Sequence, residues 1–198
     1  MTPDSHAQRK AKVYEAALAL TSQGVSPAAM TIQQLADAAG IGKGTVYEYF
    51  PSKEEILQGV ARYCFAQENE RIAARFDRCR TLVDLENELV DYLQEVAAQR
   101  MSTYRLLAVN FGQQAALPEC TNACRSQLTA LTDALVARLQ AAGEIDPGLT
   151  MDACRTSIFC TVTGGLIALC CSAGSGDALP DLPQNLRDNL HRSLRPQK

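Results

Sequence analysis

The side chains best suited to chemistry crowd between Thr31 and Lys53. Lys43, Thr45, Tyr47, Tyr49 and Lys53 bring ammonium, hydroxyl and phenol groups into one short stretch, with Gly44 and Val46 among them. Such groups donate to anionic oxygens and to the edges of bases. The run Gly40-Ile41-Gly42-Lys43-Gly44-Thr45 superficially resembles a phosphate-binding loop. It fails both relevant spacings, GxGxxG and GxxxxGK[ST], and a helical pattern rather than a strand precedes it. Its glycines instead suit a tight turn and let backbone approach a phosphate or a base edge. Nothing comparable assembles for catalysis. Asp and Glu are dispersed, no GxSxG motif occurs, and the two histidines, His6 and His191, stand near opposite ends. The sequence therefore predicts no enzyme, no cofactor and no metal site.

Two short helical patterns position the donors. Thr31 to Ala39 places Ile32, Leu35, Ala36 and Ala39 on one face, and Thr31 with Gln34 has the spacing of a reciprocal capping box. Gly40 ends this helix where a left-handed residue costs little. A second helix follows, with Val46, Tyr47 and Phe50 at inward-facing spacing. Two short helices joined by a Gly-containing turn form a helix-turn-helix, whose second helix leads into a DNA major groove with its N-terminal residues. By position, Lys43, Gly44, Thr45 and Val46 are the candidates for base contact, although Val46 serves equally well as core. Tyr47 can present its phenol to a phosphate or bury it. Thr31, at the cap, joins the candidate DNA-binding set.

The run TIQQLADAAGIGKGTVYEYFPSKEEIL, Thr31 to Leu57, resembles the signature of TetR-type transcriptional regulators. The resemblance covers about fifty N-terminal residues; the remainder shares only a compatible length and helical pattern. It implies that Tyr47 and Tyr49 face phosphates and that Lys53 is a phosphate-contacting lysine. Tyr49 departs from the histidine frequent there, keeping a donor and losing a possible charge. Glu48 beside them would repel phosphate unless it points to solvent.

The charge balance looks wrong for a nucleic-acid binder, because the net charge is −3 and the pI near 5.4. Arg9, Lys10, Lys12, Lys43 and Lys53 nevertheless gather in the N-terminal quarter, so the acidity lies elsewhere. Ser5 with Gln8 predicts the start of a helix reaching about Ser22, which completes a three-helix unit. Ser52 with Glu55 opens a helix continuing to about Phe76, and a domain boundary is placed inside it near residue 53. The domains are then 1–53, for DNA binding, and 54–198, for effector binding and dimerisation. Further helices are predicted from Thr81, Ser102, Pro118, Asp146-Pro147 and Pro180. No segment alternates at period two, so the fold expected is all-α, with about nine helices.

Eight cysteines without a signal peptide fit a reducing cytoplasm. They form no CxxC pair and are read mainly as small buried hydrophobes. A thiol-based redox or metalloid sensor using Cys120 and Cys124, one helical turn apart, is the alternative function; a helical enzyme is a remoter one. Thr156 to Gly176 carries no charge, but its Thr, Ser and Gly content argues for a buried helix in a protein without membrane contact.

The resemblance further implies a homodimeric, ligand-responsive repressor on a palindromic double-stranded operator. Ile158, Thr161, Val162, Gly165, Ala168 and Leu169 are assigned to a dimer interface, where small residues let helices approach. Tyr92, Tyr104, Asn110, Phe111, Gln114 and Phe159 are assigned to a pocket for an unknown small-molecule effector, mostly apolar with a few orienting amides.

Overall fold

The computed structural model describes residues 3–100, 118–175 and 179–195. Among the described residues there are eight α-helices, one π-helical turn and no strand, so the all-α expectation is met. The helices are α1 (Pro3–Ser22), α2 (Ile32–Ala39), α3 (Lys43–Tyr49), α4 (Lys53–Phe76), α5 (Leu82–Glu95), α6 (Pro118–Ala141), α7 (Met151–Ser175) and α8 (Leu182–Leu194). The π-helical turn Val96–Arg100 continues α5. The helix expected from Ser102 lies outside the described residues.

Local chemistry sets most of the boundaries. At Thr31 both arms of the capping box form: Gln34 N donates to Thr31 Oγ1 at 3.2 Å and Thr31 N to Gln34 Oε1 at 2.9 Å. Gly40 closes α2 with φ of 66°, a left-handed value that only glycine adopts without strain. Thr81 and Asp84 make the equivalent pair at α5, at 2.9 and 3.1 Å. Backbone N–H donors of Arg80 and Thr81 hold the Asp84 carboxyl below the usual carboxylate range. Ser52 Oγ accepts from Glu55 N at 3.1 Å where α4 begins.

Two starts differ from the sequence expectation. Helix α1 begins at Pro3, ahead of Ser5, because proline at the first helical position loses no needed N–H. Helix α7 begins at Met151 rather than at Pro147. Asp146 Oδ1 accepts from Gly148 N at 2.8 Å, turning the chain, and Thr150 Oγ1 then caps Ala153 N at 3.2 Å.

The described chain divides into two compact units, one of residues 3–68 and 118–124 and one of residues 69–100, 125–175 and 179–195. Residue 53, near which the sequence places a domain boundary, is the first residue of α4. In the first unit, Val13 and Ala17 of α1, Leu35 of α2, Val46 and Phe50 at α3, and Ile56 of α4 share one core. Gly59 permits close approach, since a Cβ there would lie 2.4 Å from the Tyr14 hydroxyl.

In the second unit, α5, α6, α7 and α8 bury Leu85, Leu135, Leu139, Ile158, Leu190 and Leu194 together. The buried Glu86 accepts from His191 Nδ1 at 2.7 Å, while Arg195 donates to His191 Nε2 at 3.1 Å. Arg75 bonds both Glu88, at 2.7 Å, and Glu95. Burial pushes the Glu88 carboxyl up, but hydrogen bonds from Arg78 and Arg75 outweigh it and leave the pKa lowered.

Helix α7 turns three of the six residues assigned to a dimer surface into its own unit. Ile158, Thr161 and Gly165 are buried within the unit, and Val162, Ala168 and Leu169 are half-buried. A Cβ on Gly165 would lie 2.7 Å from Leu93 of α5 and 3.1 Å from Leu186 of α8. The small residue serves packing inside one chain. The outward side of α7 carries Phe159 and Ile167 instead, 65% and 59% exposed. No helix among the described residues is long and apolar enough to cross a membrane.

Candidate nucleic-acid interface

Helix α3 is held by three side chains and presents the others. Val46 is wholly buried, and Tyr49 and Phe50 are 7% and 2% exposed, all in the core shared with α1, α2 and α4. Lys43, Gly44, Tyr47 and Glu48 are exposed, and Thr45 is half-buried. The helix starts at Gly42, which offers no side-chain cap, and ends where Phe50 N donates to Val46 O at 2.9 Å. A Cβ on Gly44 would meet nothing within 4 Å, so this glycine leaves open space rather than relieving a clash in its own chain.

The expected contact set therefore divides. Lys43, Gly44 and Tyr47 are exposed on α3, and Thr45 is half-buried. Val46 is corrected to core, since a side chain with no exposed surface reaches no base edge. Tyr47 is corrected from inward-facing to outward, at 52% exposure. Tyr49 is also corrected: its ring is buried and its hydroxyl already accepts from Arg9 Nη1 at 3.0 Å. Thr31 is exposed at the start of α2, its side chain engaged in the capping box. Lys53 donates to the carbonyl of Ala28 at 2.5 Å, which ties α4 to the loop before α2.

Sequence spacing gave no sign of what gathers around Tyr49. Its ring meets His6 edge-on, with centroids 4.5 Å apart, and its hydroxyl takes the Arg9 guanidinium. Lys10 lies over the Phe50 ring at 5.3 Å. Three basic or titratable groups of α1 are thus brought to the end of α3 from forty residues away. The only signal was the basic run at Arg9, Lys10 and Lys12, whose destination no local rule supplies. Glu48 is the one acidic group on this short helix, and it points to solvent.

The chemistry of this surface is that of anion and base-edge contact. It offers an ammonium, a hydroxyl, a phenol and a guanidinium on a scaffold fixed by core packing. Among the described residues no cluster of three or more His, Cys, Asp or Glu side chains can hold a metal. Cys64, Cys79 and Cys154 are buried, and Cys160 and Cys171 exposed. Burial, with Glu88 and Asp84 nearby, pushes the Cys79 thiol up to about 11, the opposite of activation. The side chains of Cys120 and Cys124 lie outside the described residues.

Of the six assigned effector residues, Tyr92 and Phe159 are among those described. Tyr104, Asn110, Phe111 and Gln114 lie outside the described residues. Phe159 projects from α7 with 65% exposure, which corrects its assignment to an interior pocket. Tyr92 is buried beneath the Arg75 guanidinium, 5.7 Å from its ring. The second unit contains a half-open groove of about 390 Å³, lined by Val90, Leu93, Leu169, Leu179, Leu182 and Leu186 with Gln94 and two prolines. Its lining is aliphatic except for the Gln94 amide.

Residues 13–60 match the family described as bacterial regulatory proteins, tetR family, a span that runs from within α1 into α4. A curated relative, the HTH-type transcriptional repressor KstR of Mycolicibacterium smegmatis, is 33% identical over 75 residues. That match covers 38% of the chain and only 34% of the relative. Solved structures extend the likeness to the whole fold. A TetR family transcription regulator of Marinobacter aquaeolei superposes with a TM-score of 0.72 at 18% identity, over 99% of this chain and all of that one. A putative TetR-family regulator of Mesorhizobium loti gives 0.73 at 18%, over 98% and 95%. FadR of Bacillus subtilis, solved with stearoyl-CoA, gives 0.64 at 20%, over 92% and 96%. Residues 13–60 thus match the DNA-binding module of the tetR family, and the chain has the TetR-like all-helical fold along its length.

Proposed function

We propose that this protein is a transcriptional repressor that binds a palindromic operator as a homodimer and leaves it when a small apolar effector binds. The observation that carries the DNA half is the division of α3. Val46, Tyr49 and Phe50 lock one side into the core, and Lys43, Gly44 and Tyr47 stand exposed, with Thr45 half-buried beside them. Each copy inserts one α3 into a major groove. Two-fold symmetry then calls for half-sites about 34–36 Å apart, or a multiple of that. Lys53 and the Arg9 group supply phosphate contacts, which fix register and orientation without reading sequence. The word repressor in the name of the Mycolicibacterium relative supports the sign of regulation.

The effector half is carried by the aliphatic groove of the second unit. Its volume lies at the small end of the usual range for ligand sites, about 300–1,000 Å³. With Gln94 as its one amide, it selects uncharged or weakly polar hydrocarbon. The stearoyl-CoA held by the Bacillus subtilis neighbour supports an apolar chain as the class. A ligand that favours one separation of the two α3 helices lowers operator affinity by the ratio of its affinities for the two states.

The test is selection of duplexes from a random pool by the intact protein, followed by competition with a panel of fatty acids, acyl-CoA esters and sterols. Enrichment of an inverted repeat, released by an apolar compound, is the expected result. No enrichment above bulk DNA contradicts the repressor reading. Release that is unaffected by Leu93→Trp, a substitution that fills the groove, contradicts the placement of the effector.

A further inference from the structure

His6, Arg9 and Lys10 stand three and four residues apart on α1, so they share one face of that helix. That face lies against the end of α3. The His6 ring meets the Tyr49 ring edge-on with centroids 4.5 Å apart, Arg9 donates to the Tyr49 hydroxyl at 3.0 Å, and Lys10 lies over the Phe50 ring. Tyr49 and Phe50 are themselves fixed in the core of the first unit. The imidazole of His6 is thus seated against a rigid post while the residue stays exposed.

Cations flank this imidazole. Arg9 and Lys10 stand beside it on α1 and Tyr49 faces it from α3, and among the described residues no carboxylate bonds any of the three α1 groups. Glu48, next to Tyr49 in the chain, is exposed. Neighbouring cations disfavour an imidazolium, whereas an arriving phosphate oxygen favours it. Protonation also turns the single N–H donor of an imidazole into two. The Arg9 guanidinium keeps further N–H donors beyond the one given to Tyr49, so a phosphate held by Arg9 has His6 one helical turn away.

We propose that His6 is a phosphate contact made only in its protonated form, so that operator binding takes up one proton from solvent in each copy. This rests on the DNA-binding reading above and adds to it a residue and a pH dependence. At high pH the imidazole is neutral and brings no charge to the phosphate. As the pH falls the imidazolium pairs with the phosphate and the complex tightens. Each such pair releases a counterion and steepens the dependence of log affinity on log salt by about 0.9, hence about 1.8 for two copies. Sequence preference stays as it was, because a phosphate contact carries no base information.

The chain has two histidines, His6 and His191, so few groups compete for the effect. The experiment titrates the full-length protein onto its selected duplex over a range of salt, at about pH 5.5 and about pH 8, on either side of the ordinary imidazole value of about 6.5. Wild type should bind more tightly at the lower pH, with a salt slope steeper by about 1.8. His6→Asn, which does not titrate, should show the shallow slope at both pH values. His6→Arg, which is always charged, should show the steep slope at both. His191→Asn should behave as wild type. Equal slopes for wild type at the two pH values, or a steepening that survives His6→Asn, overturns the contact and leaves the DNA-binding reading standing. No selective binding to any duplex at either pH overturns both.

Discussion

Arg9 donates to the hydroxyl of Tyr49 at 3.0 Å, joining the first turns of α1 to the last residue of α3. The phenol that family likeness would turn toward DNA is instead the post on which a guanidinium is mounted. Tyr49→Phe keeps the buried ring and removes only the acceptor. We expect a stability loss of about 0.5–1.5 kcal/mol, the worth of one ordinary hydrogen bond, together with weaker DNA binding as Arg9 loses its position. Thermal unfolding and a binding titration on the same samples check this. Unchanged affinity would show that Arg9 is not used.

Lys53 spends one ammonium proton on the Ala28 carbonyl and keeps two for other acceptors. Lys53→Ala should weaken binding to all duplexes alike and reduce the salt slope by about 1. An altered sequence preference at constant slope would assign it to the loop alone.

Gly165 is where a Cβ meets Leu93 and Leu186. Gly165→Leu should cost about 1–3 kcal/mol through overpacking of the second unit. Denaturant unfolding reads it directly. Full stability with loss of the dimer would return Gly165 to an interface.

The capping boxes at Thr31 and Thr81 were legible in the sequence because each joins residues three apart, and so were the two helices of the DNA-reading unit. Which side of a helix faces inward was harder. Helix α3 is too short for its period to decide between Val46 and Tyr47, and only contact with α1 and α4 settles it. Helix α7 carries no charge from Thr156 onward, so no contrast between charged and apolar faces told Gly164 from Gly165. Arg9 and Tyr49 meet across forty residues, a separation at which no local pattern operates.

Cys79 is wholly buried, and its thiol is pushed up to about 11 from the ordinary 9 by burial first and by Glu88 and Asp84 next. That rise leaves about 100-fold less thiolate near neutral pH. The unfolded thiol ionises from about pH 9 while the folded one does not, so the fold loses stability between pH 9 and 11. Alkylation of native protein at pH 8 should spare Cys79, as read by mass spectrometry of its peptide. Modification at the rate of a free thiol would contradict the packing.

The central claim is that the open side of α3 reads DNA, and fluorescence anisotropy on the selected operator tests it most directly. Lys43→Ala, Thr45→Ala and Tyr47→Ala are compared with wild type and with Asp91→Ala, an exposed site on α5. Thr45→Ala should change discrimination at one symmetric base-pair position by about 1–3 kcal/mol per site, and Lys43→Ala and Tyr47→Ala should weaken binding while Asp91→Ala does not. Equal affinity and equal preference for all four variants and wild type would contradict the account.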